Sequence, residues 1–258
     1  MSSRTLLWLF LLLVIPVSAA GELDPQTLFQ LDQAVFRARP MAMLPVDNLS
    51  GVVMVYGDRY AIVWVVRLSE RGAQVLWRSS ALEGGPIQDI LVEDLDGRGG
   101  HDIIVRTQGG QAFVFDDTYS SRWSSVNEDF RAVNAMAIAQ LDADPAFEIL
   151  MVADNQVLWY DGDQFVREQQ FPQVYANVVE VAVGNVDTDR ELEIVLNSGR
   201  VLDALTADAE WETQPFGLQI SLIDIDGDGI QEVIGYGQPN QGTIRIFDVD
   251  ERQEKPFQ

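Results

Sequence analysis

Four stretches of this chain place the same acids between the same kinds of apolar run. They are VEDLDGRGGHDIIV (92–105), IAQLDADPAFEILMV (138–152), VGNVDTDRELEIVL (183–196) and LIDIDGDGIQEVIGY (222–236). Anchored on Asp96, Asp142, Asp187 and Asp226, the copies lie 46, 45 and 39 residues apart. A repeat of that length excludes most folds, because each copy must be a supersecondary unit that buries its apolar faces only against its neighbours.

The flanks say what the unit is. Before each loop apolar residues alternate, as in Ile90 and Val92, Met136 and Ile138, Val181 and Val183, Ile220 and Leu222. Period two marks a strand with one packed face. After each loop comes a nearly unbroken apolar run, Ile103–Val105, Ile149–Val152, Ile194–Leu196 and Val233–Ile234. Such a run predicts a strand buried on both faces. A third segment ends each time in a similar way: QAFVFD, QVLWYD, RVLDAL and TIRIFD. A fourth, more polar piece closes the unit: SRWSSV, QFVREQQF, AEWETQPF and EKPFQ. Four strands repeating every 40–45 residues predict an all-β chain, a β-propeller of about five four-stranded blades. The expected units are 40–82, 83–127, 128–172, 173–214 and 215–258, with Asp47 as the one acid kept in the first loop. A ring of six or seven blades would be left open or completed by a partner.

Two leading segments differ. Residues 1–20 carry Arg4, an apolar core over 6–17 and Ser18-Ala19-Ala20, the layout of a secretory signal. The expected location is therefore outside the cytoplasm: periplasmic, secreted or cell-surface, with no membrane span after cleavage. Residues 21–39 predict a short helix, with Asp24 as N-cap, Pro25 at its first turn and Leu28, Leu31 and Val35 on one face.

Composition removes several chemistries. The chain has no cysteine and one histidine, His101, which leaves no thiol nucleophile and almost no material for a histidine triad. Without Arg4 the balance is 16 − 40 = −24, which disfavours nucleic acid and anionic lipid as partners. With 40 acids, carboxylate pairs at glycosidase spacing arise by chance and say little. Trp64, Trp77, Trp123, Trp159 and Trp211 recur near strands, where packing between blades is the expected role and a sugar-stacking rim the alternative.

The loops themselves invite a cation. Read as positions 1, 3, 5, 7 and 9, the fifth loop offers Asp224, Asp226, Asp228, the Ile230 carbonyl and Glu232. Calcium takes six to eight oxygens at about 2.3–2.6 Å, and alternate positions of a tight loop converge on one point. The third loop offers Gln140, Asp142, Asp144, Ala146 and Glu148; the fourth offers Asn185, Asp187, Asp189, Glu191 and Glu193. The second keeps Asp94, Asp96 and Asp102 but places Arg98 at position 5, as a built-in cation or a side chain that swings out. Carboxylate counting ranks Ca2+ affinity as fifth, then third and fourth, then second, with the ion structural.

The pattern D-x-D-G-D-G-x-x-E between strands resembles the FG-GAP/VCBS repeats of integrin-α-like β-propellers, over roughly residues 85–255, with 40–80 as a decayed copy. The family's Phe-Gly-Gly-Ala-Pro segment survives only as EGGPI (83–87), and glutamate replaces aspartate at position 9 in three loops. The resemblance implies calcium at Asp224, Asp226, Asp228, Ile230 and Glu232, and a role in adhesion or assembly through a protein or glycan. No enzymatic activity is expected; a carbohydrate-active enzyme or lectin is the alternative.

Overall fold

The computed structural model describes residues 41–44, 52–237 and 244–255. The expected signal segment, the expected N-terminal helix and Asp47 lie outside the described residues.

The described residues form five four-stranded antiparallel sheets, each a simple meander in chain order. The first holds β1 (Met41–Leu44), β2 (Val52–Gly57), β3 (Val63–Ser69) and β4 (Gly72–Arg78). The second holds β5 (Ile87–Glu93), β6 (Asp102–Thr107), β7 (Ala112–Phe115) and β8 (Ser121–Ser124). The third holds β9 (Val133–Ala139), β10 (Glu148–Ala153), β11 (Gln156–Asp161) and β12 (Arg167–Gln170). The fourth holds β13 (Val181–Gly184), β14 (Glu193–Leu196), β15 (Arg200–Asp203) and β16 (Ala209–Glu212). The fifth holds β17 (Gln219–Ile223), β18 (Glu232–Tyr236), β19 (Arg245–Asp248) and β20 (Gln253–Lys255). A 3-10 turn at Ser125–Asn127 follows β8.

The apolar runs after the loops are explained by packing on two sides. Successive residues of a strand point to opposite faces, and here both faces meet another sheet. Ile103 and Val105 pack with Val53, Val55 and Val65 of the first sheet, whereas Ile104 and Val114 pack with Met136, Ile149 and Met151 of the third. Leu150 and Val152 turn to the fourth sheet and meet Ile194 and Leu196, while Val195 turns to the fifth and meets Val233 and Phe247. These four clusters join consecutive sheets; among the described residues no such cluster joins the fifth sheet to the first.

Aromatic residues carry much of this packing. Trp77 of the first sheet meets Phe115 and Tyr119 of the second at 5.2 Å between centroids, and Trp123 of the second meets Tyr160 of the third at 5.3 Å. Trp211 of the fourth meets Phe216 at 5.7 Å and Phe247 at 6.4 Å. Trp159 packs on Phe171, and Trp64 on Tyr56 within the first sheet. In the first, second and fourth sheets a tryptophan on the outer strand thus fills the step to the next sheet.

The outer strands are not regular. In the first four sheets the fourth strand bulges by one residue against the third, and the extra residues are Leu76, Arg122, Glu168 and Glu210. A bulge re-aims a side chain that a regular strand would direct elsewhere.

Candidate metal centres

Each acidic loop joins the first strand of its sheet to the second, and the acids first serve the loop's own backbone. Asp144 donates its N–H to Asp142 at 2.8 Å, and Ala146 donates to Asp144 at 2.7 Å. Asp189 and Glu191 repeat this on Asp187 and Asp189 at 2.9 and 3.0 Å. In the fifth loop Asp224 accepts from Gly227 and Gly229 at 2.7 and 3.0 Å, and Asp228 from Ile230 at 2.8 Å. Gly227 and Gly229 have φ of 82° and 93°, a left-handed backbone that favours glycine. In the second loop Asp94 accepts from Arg98 and Gly99, and Asp96 also accepts from Arg98. The Gln140 side-chain amide folds back onto the Asp142 and Asp144 carbonyl oxygens.

The closing acid at position 9 opens the second strand and is buried in every copy: Asp102, Glu148, Glu193 and Glu232. One of its oxygens always accepts the N–H of the apolar residue at position 2. The donors are Leu95 at 3.3 Å, Leu141, Val186 at 2.8 Å and Ile225 at 3.0 Å. This bond stitches the loop closed above the sheet.

What lies beside the acids differs between sheets. In the second sheet Arg98 swings outward: its side chain is 68% exposed and reaches Asp163 of the third sheet at 2.8 Å, keeping only a 3.6 Å contact with Asp96. The less exposed cation beside the loop is Arg122, 20% exposed, with Nη1 3.4 Å from both Asp96 and Asp102. Its Nη2 donates to the Asp163 carbonyl at 2.9 Å. In the fifth sheet the Lys255 ammonium lies 3.1 Å from Glu232, 2.9 Å from Asp248 and 3.8 Å from Asp226. Asp224, Asp226 and Asp228 come together on the exposed side of that loop, with oxygens within 4.8 Å of one another.

In the third and fourth sheets the neighbour is another acid. Asp142, Glu148 and Glu168 bring oxygens within 4.8 Å of one another, and so do Asp187, Glu193 and Glu210. Asp203, at the end of β15, forms a further group with Asp189 and Glu210. Burial, and then the neighbouring Asp142 and Glu168, push Glu148 up to about 7. Burial, with Asp187, Glu210 and Asp189 nearby, pushes Glu193 up to about 8. Glu210 is raised to about 7 by burial and by Asp187, Asp189 and Asp203, with the Arg252 guanidinium acting in the opposite direction. Outside the loops, burial and Asp89 hold Glu180 at about 7.

A pH dependence follows. A carboxyl whose folded pKa lies above its unfolded value of about 4.5 takes up a proton on folding. Its effect on stability is neutral below the unfolded value, grows more unfavourable between the unfolded and the folded value, and is complete above the folded one. In chelator, thermal unfolding is expected to give a melting temperature that falls as pH rises from about 5 to 8, the interval spanned by Glu148, Glu193, Glu210 and Glu180. A melting temperature that rises over that interval would contradict the burial argument.

The structure therefore brings together Asp142 with Glu148, Asp187 with Glu193, and Asp224 with Asp226 and Asp228. Asp94 stays with its own backbone donors, and Arg122 stands beside Asp96 and Asp102. His101 lies partly exposed in its loop. Sequence reasoning missed Arg122, Glu168, Glu210, Asp203 and Lys255. Their signal was the column shared by the third and fourth segments of each unit.

No family model and no curated protein matches the chain. Solved structures do. The chain is similar to the computationally designed Ika8 protein, with a TM-score of 0.54, 15% identity, and coverage of 84% of this chain and 60% of that one. It is similar to the V. cholerae biofilm matrix protein Bap1, with a TM-score of 0.52, 18% identity, and coverage of 83% and 38%. The C-terminal WD40 domain of Sif2 matches with a TM-score of 0.50, 12% identity, and coverage of 84% and 72%. WD40 domains are propellers of four-stranded blades, so the architecture here is that of a β-propeller. The chain spans 60% or less of the length of the first solved chains it matches.

Proposed function

We propose that this protein is an exported β-propeller that acts as a binding module for a protein partner. Calcium braces its blades and takes no part in chemistry. The observation that carries this reading is the distribution of the acids. Each carboxylate group belongs to one sheet, beside its own first loop and outer strand, where it orders backbone. Side chains arranged this way hold blades, which leaves partner recognition to the surface the blades present. The resemblance of the loops to FG-GAP/VCBS repeats supports calcium and an adhesion or assembly role. The charge of the chain favours a partner other than nucleic acid or anionic lipid. Among the described residues no helix is long and apolar enough to cross a membrane. Fold alone does not name the partner.

Two measurements test the reading. N-terminal sequencing of the exported protein is expected to start at Gly21. The purified chain is expected to bind one envelope or extracellular protein saturably, reproduced with that partner purified, and to retain no glycan on an array. Saturable glycan binding that is lost on Trp64→Ala would overturn it in favour of a lectin.

A further inference from the structure

The four acidic loops share one motif, and what meets the closing acid separates them. In each, one oxygen of the closing acid is bonded to the backbone N–H of position 2. The other oxygen has three different fates. Asp102 meets Arg122 at 3.4 Å, and Glu232 meets Lys255 at 3.1 Å. Glu148 Oε1 and Glu193 Oε1 meet no hydrogen-bond partner, although both residues are 0% exposed. Glu210 Oε2 and Asn185 Oδ1 are buried and unpartnered in the same fourth sheet.

The outer strand sets these fates. Arg122, Glu168 and Glu210 occupy the same place, the extra residue of the fourth-strand bulge. Lys255 reaches the fifth loop from the equivalent strand β20. So two sheets aim a cation at the buried carboxylate and two aim a further carboxylate. A buried carboxylate left without a counter-charge is costly, and a third carboxylate beside it raises that cost. The chemistry that removes it is a hard cation with oxygen ligands. Two oxygens bound to one calcium at about 2.4 Å lie at most about 4.8 Å apart. The oxygens of Asp142, Glu148 and Glu168, and those of Asp187, Glu193 and Glu210, meet that limit.

We propose that the space beneath each loop is a cation slot with interchangeable occupants. Arg122 and Lys255 fill it from within in the second and fifth sheets. A hard divalent cation of the calcium class fills it in the third and fourth, with Glu168 and Glu210 as ligands supplied by the outer strand. The inference rests on the calcium reading above and reverses the ranking that carboxylate counting gives, which favours the fifth loop.

The test is calcium stoichiometry of the full chain by equilibrium dialysis, with melting temperature measured in calcium and in EGTA. Wild type is expected to hold one ion in each of the third and fourth loops. Glu168→Lys and Glu210→Lys should each lose one ion and part of the calcium-induced rise in melting temperature. Arg122→Glu and Lys255→Glu should each gain one. Glu168→Gln and Glu210→Gln, which keep size and shape, should weaken binding by at least about tenfold. If ions bind but depend on Asp226 and not on Glu168 or Glu210, this proposal falls and the broader calcium reading stands. If wild type binds no ion at millimolar calcium, both fall.

Discussion

Arg122→Ala is expected to destabilise the protein by about 3–5 kcal/mol, the range for removing one partner of a buried ion pair. The guanidinium joins three parts of the molecule. It neutralises Asp96 and Asp102 of its own sheet, donates to the Asp163 carbonyl of the next, and lies 4.9 Å from the Phe165 ring centroid. Removing it leaves Asp102, whose side chain is 6% exposed, without a counter-charge. Burial already holds that carboxyl above its usual value despite Arg122. The loss should therefore shrink at acid pH, where Asp102 is neutral. Arg98→Ala is the control: its side chain is 68% exposed, and exposed pairs are worth about 0–1 kcal/mol. Urea midpoints of the two variants at neutral pH check the contrast. Equal losses would mean that Arg122 is only a surface cation.

Phe247→Ala is expected to cost about 3–5 kcal/mol, as for other buried phenylalanines. Phe247 is 1% exposed and closes the step between the fourth and fifth sheets. Its ring meets Phe216 at 4.8 Å and Trp211 at 6.4 Å, with Arg245 stacked at 4.5 Å. Because a sheet packs mainly on its neighbours, the damage should stay local before it becomes global. Limited proteolysis is expected to cut first between residues 212 and 219, releasing the last sheet. Cleavage spread evenly over all five sheets would show that the array opens as one unit.

Much of this architecture was legible in the chain. The run Ile103–Val105 needs apolar residues at every position because its two faces meet two sheets. That demand is local and recurs at each copy, so it appears as a pattern. The same holds for the closing acids, which sit seven residues from the N–H they accept. Trp77, Trp123 and Trp211 were legible as packing residues because each falls in the fourth segment of its unit.

The occupant of each loop was not legible. Arg98 stands within the second loop, where the sequence allows either a built-in cation or a side chain that swings out; it reaches outward to Asp163 at 2.8 Å and keeps a 3.6 Å contact with Asp96. The residue that does stand there, Arg122, is 20 residues beyond Asp102 and on the far edge of the sheet. Glu168 and Glu210 lie 20 and 17 residues beyond Glu148 and Glu193 in the same way. A strand of period two does not say where a bulge falls, and the bulge is what turns these side chains onto the loop.

The sequence by itself therefore determined the repeated four-strand unit, the buried strands and the acids of each loop, because these depend on neighbours close along the chain. Only the tertiary structure decided whether a loop faces an arginine, a lysine or another carboxylate, because that depends on register across three strands.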